Sequence, residues 1–184
     1  SNFSAPMAKL SVEFEKKTKH KLIISYGSTG KFFSQIMSGA PFEILLSADD
    51  EHPHRLLEAK MAVPGTSFTY AIGSLVLWSP RKDFIDSKGE VLSKSSYAHL
   101  AIANPKLAPY GRAAKELLEK LGLWERIKSK IVFGENITQA YQFVVSGNAE
   151  LGLLASSQIA AESELKGSVW IVPKTLYGPI KQDA

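Results

Sequence analysis

Four short turns in this sequence place small, hydroxyl or amide residues at the start of a helix, and turns of this kind can bind an anion. They are residues 4–6, 26–30, 108–111 and 135–136. The first N–H groups of a helix have no partner within it and lie at the positive end of the helix dipole. Asn2, Ser28, Thr29 and Asn136 would add neutral side-chain donors. Several such turns around one cleft would hold an oxyanion without lysine or arginine, whereas taken singly each turn could simply cap its helix.

The turn at residues 26–30 also resembles part of a phosphate-binding loop, but two required residues are missing. The full motif has a glycine five positions before its second glycine and a hydroxyl residue directly after its lysine. Ser25 and Phe32 occupy those positions, so no side chain is available to hold the magnesium of a nucleotide. The sequence therefore excludes a nucleotide-binding loop.

Ser28 and Lys31 have the Ser-x-x-Lys spacing of penicillin-interacting serine enzymes, in which the lysine activates the serine. Those enzymes also need Lys-Thr-Gly and Ser-Asp-Asn elements. Here Lys174 and Thr175 are followed by Leu176, and Ser-Asp-Asn does not occur. The sequence argues against an acylating enzyme.

Residues 49–54 are acidic and histidine-rich and could in principle bind a divalent metal ion. They follow a predicted strand and open a helix, where acidic residues favour the helix dipole and polar side chains face water. A solvated surface is the simpler interpretation, so we expect no metal ion there. The chain has no cysteine, which excludes disulfides, thiolate metal sites and a cysteine nucleophile.

Composition narrows the functional classes further. The chain has 184 residues, 45% of them hydrophobic and 22% charged, which is typical of an ordinary globular protein. Its formal charge of +4 is scattered along the sequence. A nucleic-acid-binding protein usually has a concentrated basic stripe, so we expect no nucleic-acid partner.

The elements that must position these turns alternate along the chain. Apolar runs predict strands at residues 22–26, 42–46, 74–78, 99–103, 130–133, 152–155 and 169–172. Apolar residues at helical spacing predict helices near residues 7–14, 31–37, 108–121 and 137–146. Alternation of this kind indicates an α/β fold with mostly parallel sheets flanked by helices. In such sheets the strand-to-helix turns gather at one edge, where ligands bind.

Seven short motifs, in order along the chain, together resemble the periplasmic molybdate-binding proteins of bacterial molybdate ABC transporters. The resemblance covers essentially all 184 residues. The motifs are residues 1–7 (SNFSAPM), 27–30 (GSTG), 39–43 (GAPFE), 46–49 (LSAD), 104–105 (NP), 110–115 (YGRAAK) and 134–137 (GENI).

The resemblance implies a type II periplasmic-binding-protein fold, with two α/β lobes joined by two crossing strands. Lobe one would comprise residues 1–73 and 174–184, and lobe two residues 74–173. Residues 71–74 and 172–174 are the candidate hinges, and we expect closure around the ligand. Family members have a strand before the position of Ser1 and a strand and helix after that of Ala184, so we expect lobe one to be incomplete here.

The resemblance also implies the ligand contacts. They fall at Ser1 and Asn2, at Ser28 and Thr29, at Tyr110, and at the backbone N–H of Ile137. Many members have a tyrosine where this chain has Ala155, whereas another branch has its tyrosine in the proline-rich turn. Tyr110 matches that second branch.

The implied function is binding of molybdate or tungstate for delivery to the membrane permease subunits of an ABC importer. The protein would be a periplasmic monomer without catalytic activity or cofactor, and molybdenum would be bound only as its oxyanion. Two alternatives stay open. One is a ligand-sensing domain for another tetrahedral oxyanion, and the other is an enzyme that uses Ser28 or Tyr110 on a phosphorylated substrate.

Overall fold

The computed structural model of the chain describes residues 3–94, 96–160 and 167–184. The described elements are seven α-helices and seven β-strands, connected by loops and short 3-10 turns. In chain order they are α1 (Ser4–Thr18), α2 (Thr29–Met37), α3 (Glu51–Glu58), β1 (Thr69–Gly73), β2 (Leu75–Ser79), β3 (Leu100–Ala103), α4 (Pro109–Lys120), α5 (Trp124–Ile127), β4 (Ile131–Gly134), α6 (Ile137–Val145), β5 (Leu151–Ala155), α7 (Ser156–Ala160), β6 (Ser168–Ile171) and β7 (Ile180–Asp183).

Five strands form one sheet in the order β4-β3-β5-β2-β6. Strand β3 is parallel to β4 and β5, whereas β2 is antiparallel to β5 and β6. The sheet is thus mixed: β3, β4, β5 and β6 run in one direction, as expected of a mostly parallel sheet, and β2 runs against them. The three parallel strands follow one another through helices, which is the connection that parallel pairing needs. Strands β2 and β6 lie where the chain enters and leaves the sheet, and they run against their neighbours.

The core lies on both faces of this sheet. Every residue of β2, β3 and β5 is buried, which explains why these strands are apolar at consecutive positions. Helices α4 and α6 cover the sheet through a buried stripe on each, formed by Ala114, Leu117, Leu118, Ala140 and Val144. The strands and helices predicted for this part of the chain are therefore confirmed, with ends that differ by one or two residues.

A separate two-stranded sheet joins β1 to β7, which are antiparallel. Strand β1 ends at Gly73, and a single residue, Ser74, separates it from β2. Neither strand was predicted from the sequence, although residues 71–74 were expected to form a hinge. The burial of β1 is irregular, and β7 alternates in burial but buries the polar Gln182 as well as Ile180, so neither strand has a clear hydrophobic period.

The predicted strands at residues 22–26 and 42–46 were wrong. Both segments are outside regular secondary structure, and they pair with no strand in residues 3–94, 96–160 and 167–184. Their apolar side chains are largely solvent-exposed, with Ile23 96% and Ile44 74% accessible. An apolar run favours an extended chain, but a strand also requires a hydrogen-bonding neighbour. Residues 3–68 consequently contribute helices α1 to α3 and no strand.

Within the described part of the chain, no helix is both long enough and apolar enough to cross a membrane.

Candidate functional site

Ser28 lies just before helix α2, and its hydroxyl does not cap the helix. Its backbone has the extended conformation of an N-cap residue, with φ −82° and ψ 150°, but its side chain makes no capping hydrogen bond. The residue is only 3% exposed, and its Oγ has no hydrogen-bond partner among the described residues. Buried polar groups are nearly always paired, so an unpaired buried hydroxyl suggests a ligand. The simple capping interpretation is wrong for Ser28.

Thr29 is the first residue of α2 and is also buried. Its Oγ1 accepts a hydrogen bond from the backbone N–H of Ala48, at 3.0 Å. A hydroxyl group both accepts and donates, so this contact leaves the hydrogen of Thr29 able to donate to a further acceptor. Thr29 therefore fixes the loop that carries Ala48 and can still bind an anion.

Helix α4 begins with Pro109, and the next residue, Tyr110, is 2% exposed. The Tyr110 hydroxyl accepts a hydrogen bond from Nε2 of Gln182 in β7, at 3.3 Å. It also lies against Gly73 in β1, where a Cβ atom would collide with it. Gly73 of β1 and Gln182 of β7 therefore fix the position of this hydroxyl.

Gln182 and Tyr70 support Tyr110, and neither residue was predicted from the sequence. The Tyr70 hydroxyl donates to the carbonyl of Ser47 at 2.7 Å and lies 3.2 Å from Oε1 of Gln182. Burial, together with the nearby Tyr110 and Asp183, raises the pKa of Tyr70 far above its ordinary value. Tyr70 thus stays a protonated donor. Its hydrogen-bonding partners are far away in sequence, so no local motif points to this network.

Helix α6 begins at Ile137, after the N-cap residue Asn136. The side-chain oxygen of Asn136 accepts from the backbone N–H groups of Thr138 and Gln139, at 2.9 and 3.1 Å. Asn136 is therefore a capping residue, as the simple interpretation held. These two bonds leave the N–H of Ile137, in the first turn, outside the cap, and the first N–H groups have no intrahelical partner.

Three helix starts lie side by side in the structure. The N–H of Gly30 in α2 donates to the carbonyl of Leu107, just before α4, at 3.1 Å. Lys31 of α2 forms an ion pair of 2.8 Å with Glu135, just before α6. Strands β3 and β4 are parallel, so α4 and α6 both start at the same edge of the sheet. The starts that carry Ser28, Thr29, Tyr110 and Ile137 are therefore neighbours, whereas Ser1 and Asn2 lie outside the described residues.

A cavity of about 300 Å³ opens between the first part of the chain and the start of α6. It borders the predicted contacts without including them, because Gly27 precedes Ser28 and Asn136 precedes Ile137. Its lining is mostly polar and uncharged: Ser4, Tyr26, Gly27, Glu135, Asn136, Thr138, Gln139 and Gln142.

The model of the family described as bacterial extracellular solute-binding protein matches residues 1–184 of the chain. The chain belongs to this solute-binding protein family.

Two relatives resemble this solute-binding protein over its whole length, and both are named molybdate-binding protein ModA. The relative from Azotobacter vinelandii is 54% identical, and the alignment covers 100% of this chain and 73% of the relative. The relative from Rhodobacter capsulatus is 48% identical, with 100% and 72% of the two chains covered.

A solved structure agrees. The solved structure of the periplasmic molybdate-binding protein of Azotobacter vinelandii superposes on this chain with a TM-score of 0.93 and 40% sequence identity. The match covers 99% of this chain and 80% of that one. The two-lobed α/β fold of type II periplasmic binding proteins is thereby confirmed.

One charged cluster of this solute-binding protein differs from the expectation. Asp49 is 5% exposed, not a solvated surface residue. Its carboxylate accepts hydrogen bonds from Ser47 and His52 and from Arg112 of α4, whose Nη2 lies 2.7 Å away. Burial alone would raise the pKa of Asp49, but its bonds to His52 and Ser47 hold that pKa below its usual range. The acidic residues are evident in the sequence, but the contact of Asp49 with Arg112 of α4 is not.

No group of three histidine, cysteine, aspartate or glutamate side chains in the described residues is arranged to hold a metal ion.

Proposed function

We propose that this solute-binding protein binds molybdate, and also tungstate, in the cleft at the starts of α2, α4 and α6. The observation that carries the proposal is the 54% identity, over the entire chain, to a relative named for molybdate binding. The unpaired buried hydroxyl of Ser28 supports the same place in the fold, because a buried donor without a protein partner suits an anionic guest.

Each proposed contact is a neutral donor. Ser28 and Thr29 would donate their hydroxyl hydrogens, Tyr110 its phenolic hydrogen, and Ile137 its backbone N–H. Ser1 and Asn2 complete the proposed set from the N-terminal segment. No aspartate or glutamate belongs to this set, which suits an anion that carries no proton.

Such a site would discriminate by protonation. Molybdate is a dianion without protons at neutral pH, and it can accept from every donor around it. Phosphate keeps a proton near pH 7 and needs one acceptor in its shell, so an all-donor site leaves that proton unpaired and binds phosphate more weakly. Neutral donors also avoid leaving a buried cation without a partner when the cleft is empty.

We propose that lobe one consists of residues 1–73 and 174–184, and lobe two of residues 74–173. The five-stranded sheet lies within the second range, and β1 ends at the first proposed boundary, where Gly73 pairs with Ile180 at the start of β7. The lobes would close on the anion by bending at residues 71–74 and 172–174. In this proposal the protein acts as a periplasmic monomer that delivers the anion to the permease subunits of an ABC importer.

We propose that the protein has no catalytic activity and no cofactor. A nucleophilic serine needs a base within hydrogen-bonding distance. The Ser28 hydroxyl has no such neighbour among the described residues.

Thermal unfolding and calorimetry with four anions test the proposal. A ligand that binds only the folded protein stabilises it by RT ln(1 + [L]/Kd), so the melting temperature rises as the ligand concentration increases above Kd. We expect molybdate and tungstate to raise it and to give saturable binding heats, and phosphate to do neither. Equal stabilisation by molybdate and phosphate would contradict an all-donor site. If neither molybdate nor tungstate raised the melting temperature or gave a binding heat, the proposed function would be refuted. Sulfate has the same charge in a smaller volume, so its affinity relative to that of molybdate measures how closely the proposed site fits the larger anion.

A further inference from the structure

We propose that two sets of ion pairs, Lys31–Glu135 and Arg112 with Asp49 and Glu51, hold the two lobes together and set how slowly the anion leaves. Together, these five residues form the inter-lobe ion pairs. The inference extends the proposed function, because it concerns the closing of the same cleft.

The first pair lies at the site itself. Nζ of Lys31, in the first turn of α2, is 2.8 Å from Oε1 of Glu135, although 104 positions separate the two residues. Glu135 also lines the cavity and immediately precedes the cap of α6. The pair therefore joins the two helix starts that carry Ser28 and Ile137 in the proposed site.

The second set lies beside α4. The guanidinium of Arg112 contacts Asp49 at 2.7 Å and Glu51 at 2.5 Å. Asp49 is nearly buried, with 7% of its side chain exposed, and the Arg112 hydrogen bond lowers the pKa of Glu51. Arg112 is two residues after Tyr110, so the same contact fixes the helix start that carries the proposed tyrosine donor.

These contacts differ from the other described ion pairs in what they connect. Most of the others link residues three or four positions apart, such as Lys115 with Glu119 in α4, and so stay intact whatever the lobes do. Lys181 with Asp50 connects two segments of the proposed lobe one. The inter-lobe ion pairs alone, among the described pairs, would have to break when the lobes separate.

Their charges have a second consequence for an anion. A free carboxylate of Glu135 at the edge of the cavity would repel the ligand, and Lys31 neutralises it. Each cation is likewise occupied by a carboxylate, so neither Lys31 nor Arg112 is offered to the ligand as a free charge. The ion pairs thus act on lobe closure and leave ligand contact to the neutral donors.

Charge reversal at the first pair tests the proposal. Lys31→Glu and Glu135→Lys each place two like charges together, and the double variant restores an ion pair. The chain has no cysteine, so Ser38→Cys and Ser129→Cys, two exposed positions at the end of α2 and after α5, can carry spin labels in all four proteins. The measurements are the distance between the labels, with and without molybdate, and the dissociation rate of molybdate.

We expect each single reversal to lower the closed-to-open ratio about three- to tenfold, since exposed pairs contribute modestly and reversal adds repulsion. The dissociation rate should rise by a similar factor, and the double variant should restore both quantities. Arg112→Gln should act in the same direction as the single reversals. Lys115→Glu, Glu119→Lys and their double variant are the matched control, because that pair has similar exposure within a single helix and should change neither quantity.

If the label distances were identical in the parent, the two single variants and the double variant, the inference would be overturned, whether or not molybdate changed those distances. Single reversals that the double variant fails to rescue would also overturn it, because the pair would then not be the cause. An unlabelled parent protein that does not respond to molybdate would refute the proposed function instead, and the label distances without ligand would still decide the inference.

Discussion

Replacement of Ser28 by alanine should stabilise the ligand-free protein and weaken molybdate binding at the same time. The Ser28 hydroxyl is buried, caps no helix and has no hydrogen-bond partner in the described residues. Leaving a buried polar group unpaired costs about 1–3 kcal/mol, and the substitution removes that group at the expense of a void smaller than a methyl group. We therefore expect the free energy of unfolding without ligand to rise by about 1 kcal/mol.

The effect on binding has the opposite sign. A hydrogen bond to a charged acceptor contributes about 1.5–3 kcal/mol, so the variant should bind molybdate about 10- to 150-fold more weakly. Urea unfolding gives the first quantity and titration calorimetry the second. Ser34→Ala is the matched control, because Ser34 is an exposed serine of the same helix whose hydroxyl bonds to the carbonyl of Gly30. It should change the affinity little.

A variant that loses stability and keeps its affinity would refute this reasoning, because Ser28 would then be a structural residue only. A loss of both would indicate that the hydroxyl has a protein partner in the folded state.

Three further predictions concern the neighbouring residues. Tyr110→Phe should weaken molybdate binding by about 1–3 kcal/mol. Gly73→Ala should also weaken binding, because its methyl group would displace the same hydroxyl, and it should add little to the loss caused by Tyr110→Phe. Additive losses of affinity, measured by calorimetry, would contradict this. Thr29→Ala should lower affinity more than stability, although it also leaves the N–H of Ala48 unpaired; a loss of stability alone would show that Thr29 only supports the loop. Asp49→Asn should lower the free energy of unfolding by about 1–3 kcal/mol at pH 7. Because the pKa of Asp49 in the folded protein is below 3.8, this difference should persist down to about pH 3.8 and shrink as the pH falls further. A difference that did not change with pH, down to acid unfolding, would contradict this.

The sequence predicted the sheet-bearing part of the fold well for a physical reason. Strands β2, β3 and β5 are buried on both faces, and α4 and α6 each bury one stripe, so their hydrophobic patterns are strong. Residues 22–26 are equally apolar, but they have no described neighbour with which to form a ladder. Local pattern cannot tell whether such a neighbour exists.

In the candidate site, too, the features with local sequence signals were predictable and those that depend on distant residues were not. The helix starts at Ser28, Tyr110 and Ile137 were predictable because caps, prolines and glycines are local signals. The residues that support them were not, because Gln182 reaches Tyr110 across 72 positions. Similarly, residues 49–54 read as surface until Arg112 of a distant helix is seen to cover Asp49.

A crystal structure with molybdate, located by the anomalous scattering of molybdenum, tests the central claim most directly. We predict one molybdenum peak per chain at the starts of α2, α4 and α6, with its oxygens within about 3 Å of the Ser28, Thr29 and Tyr110 hydroxyls and the Ile137 N–H. A peak elsewhere, or an anion held by lysine or arginine side chains, would contradict the account.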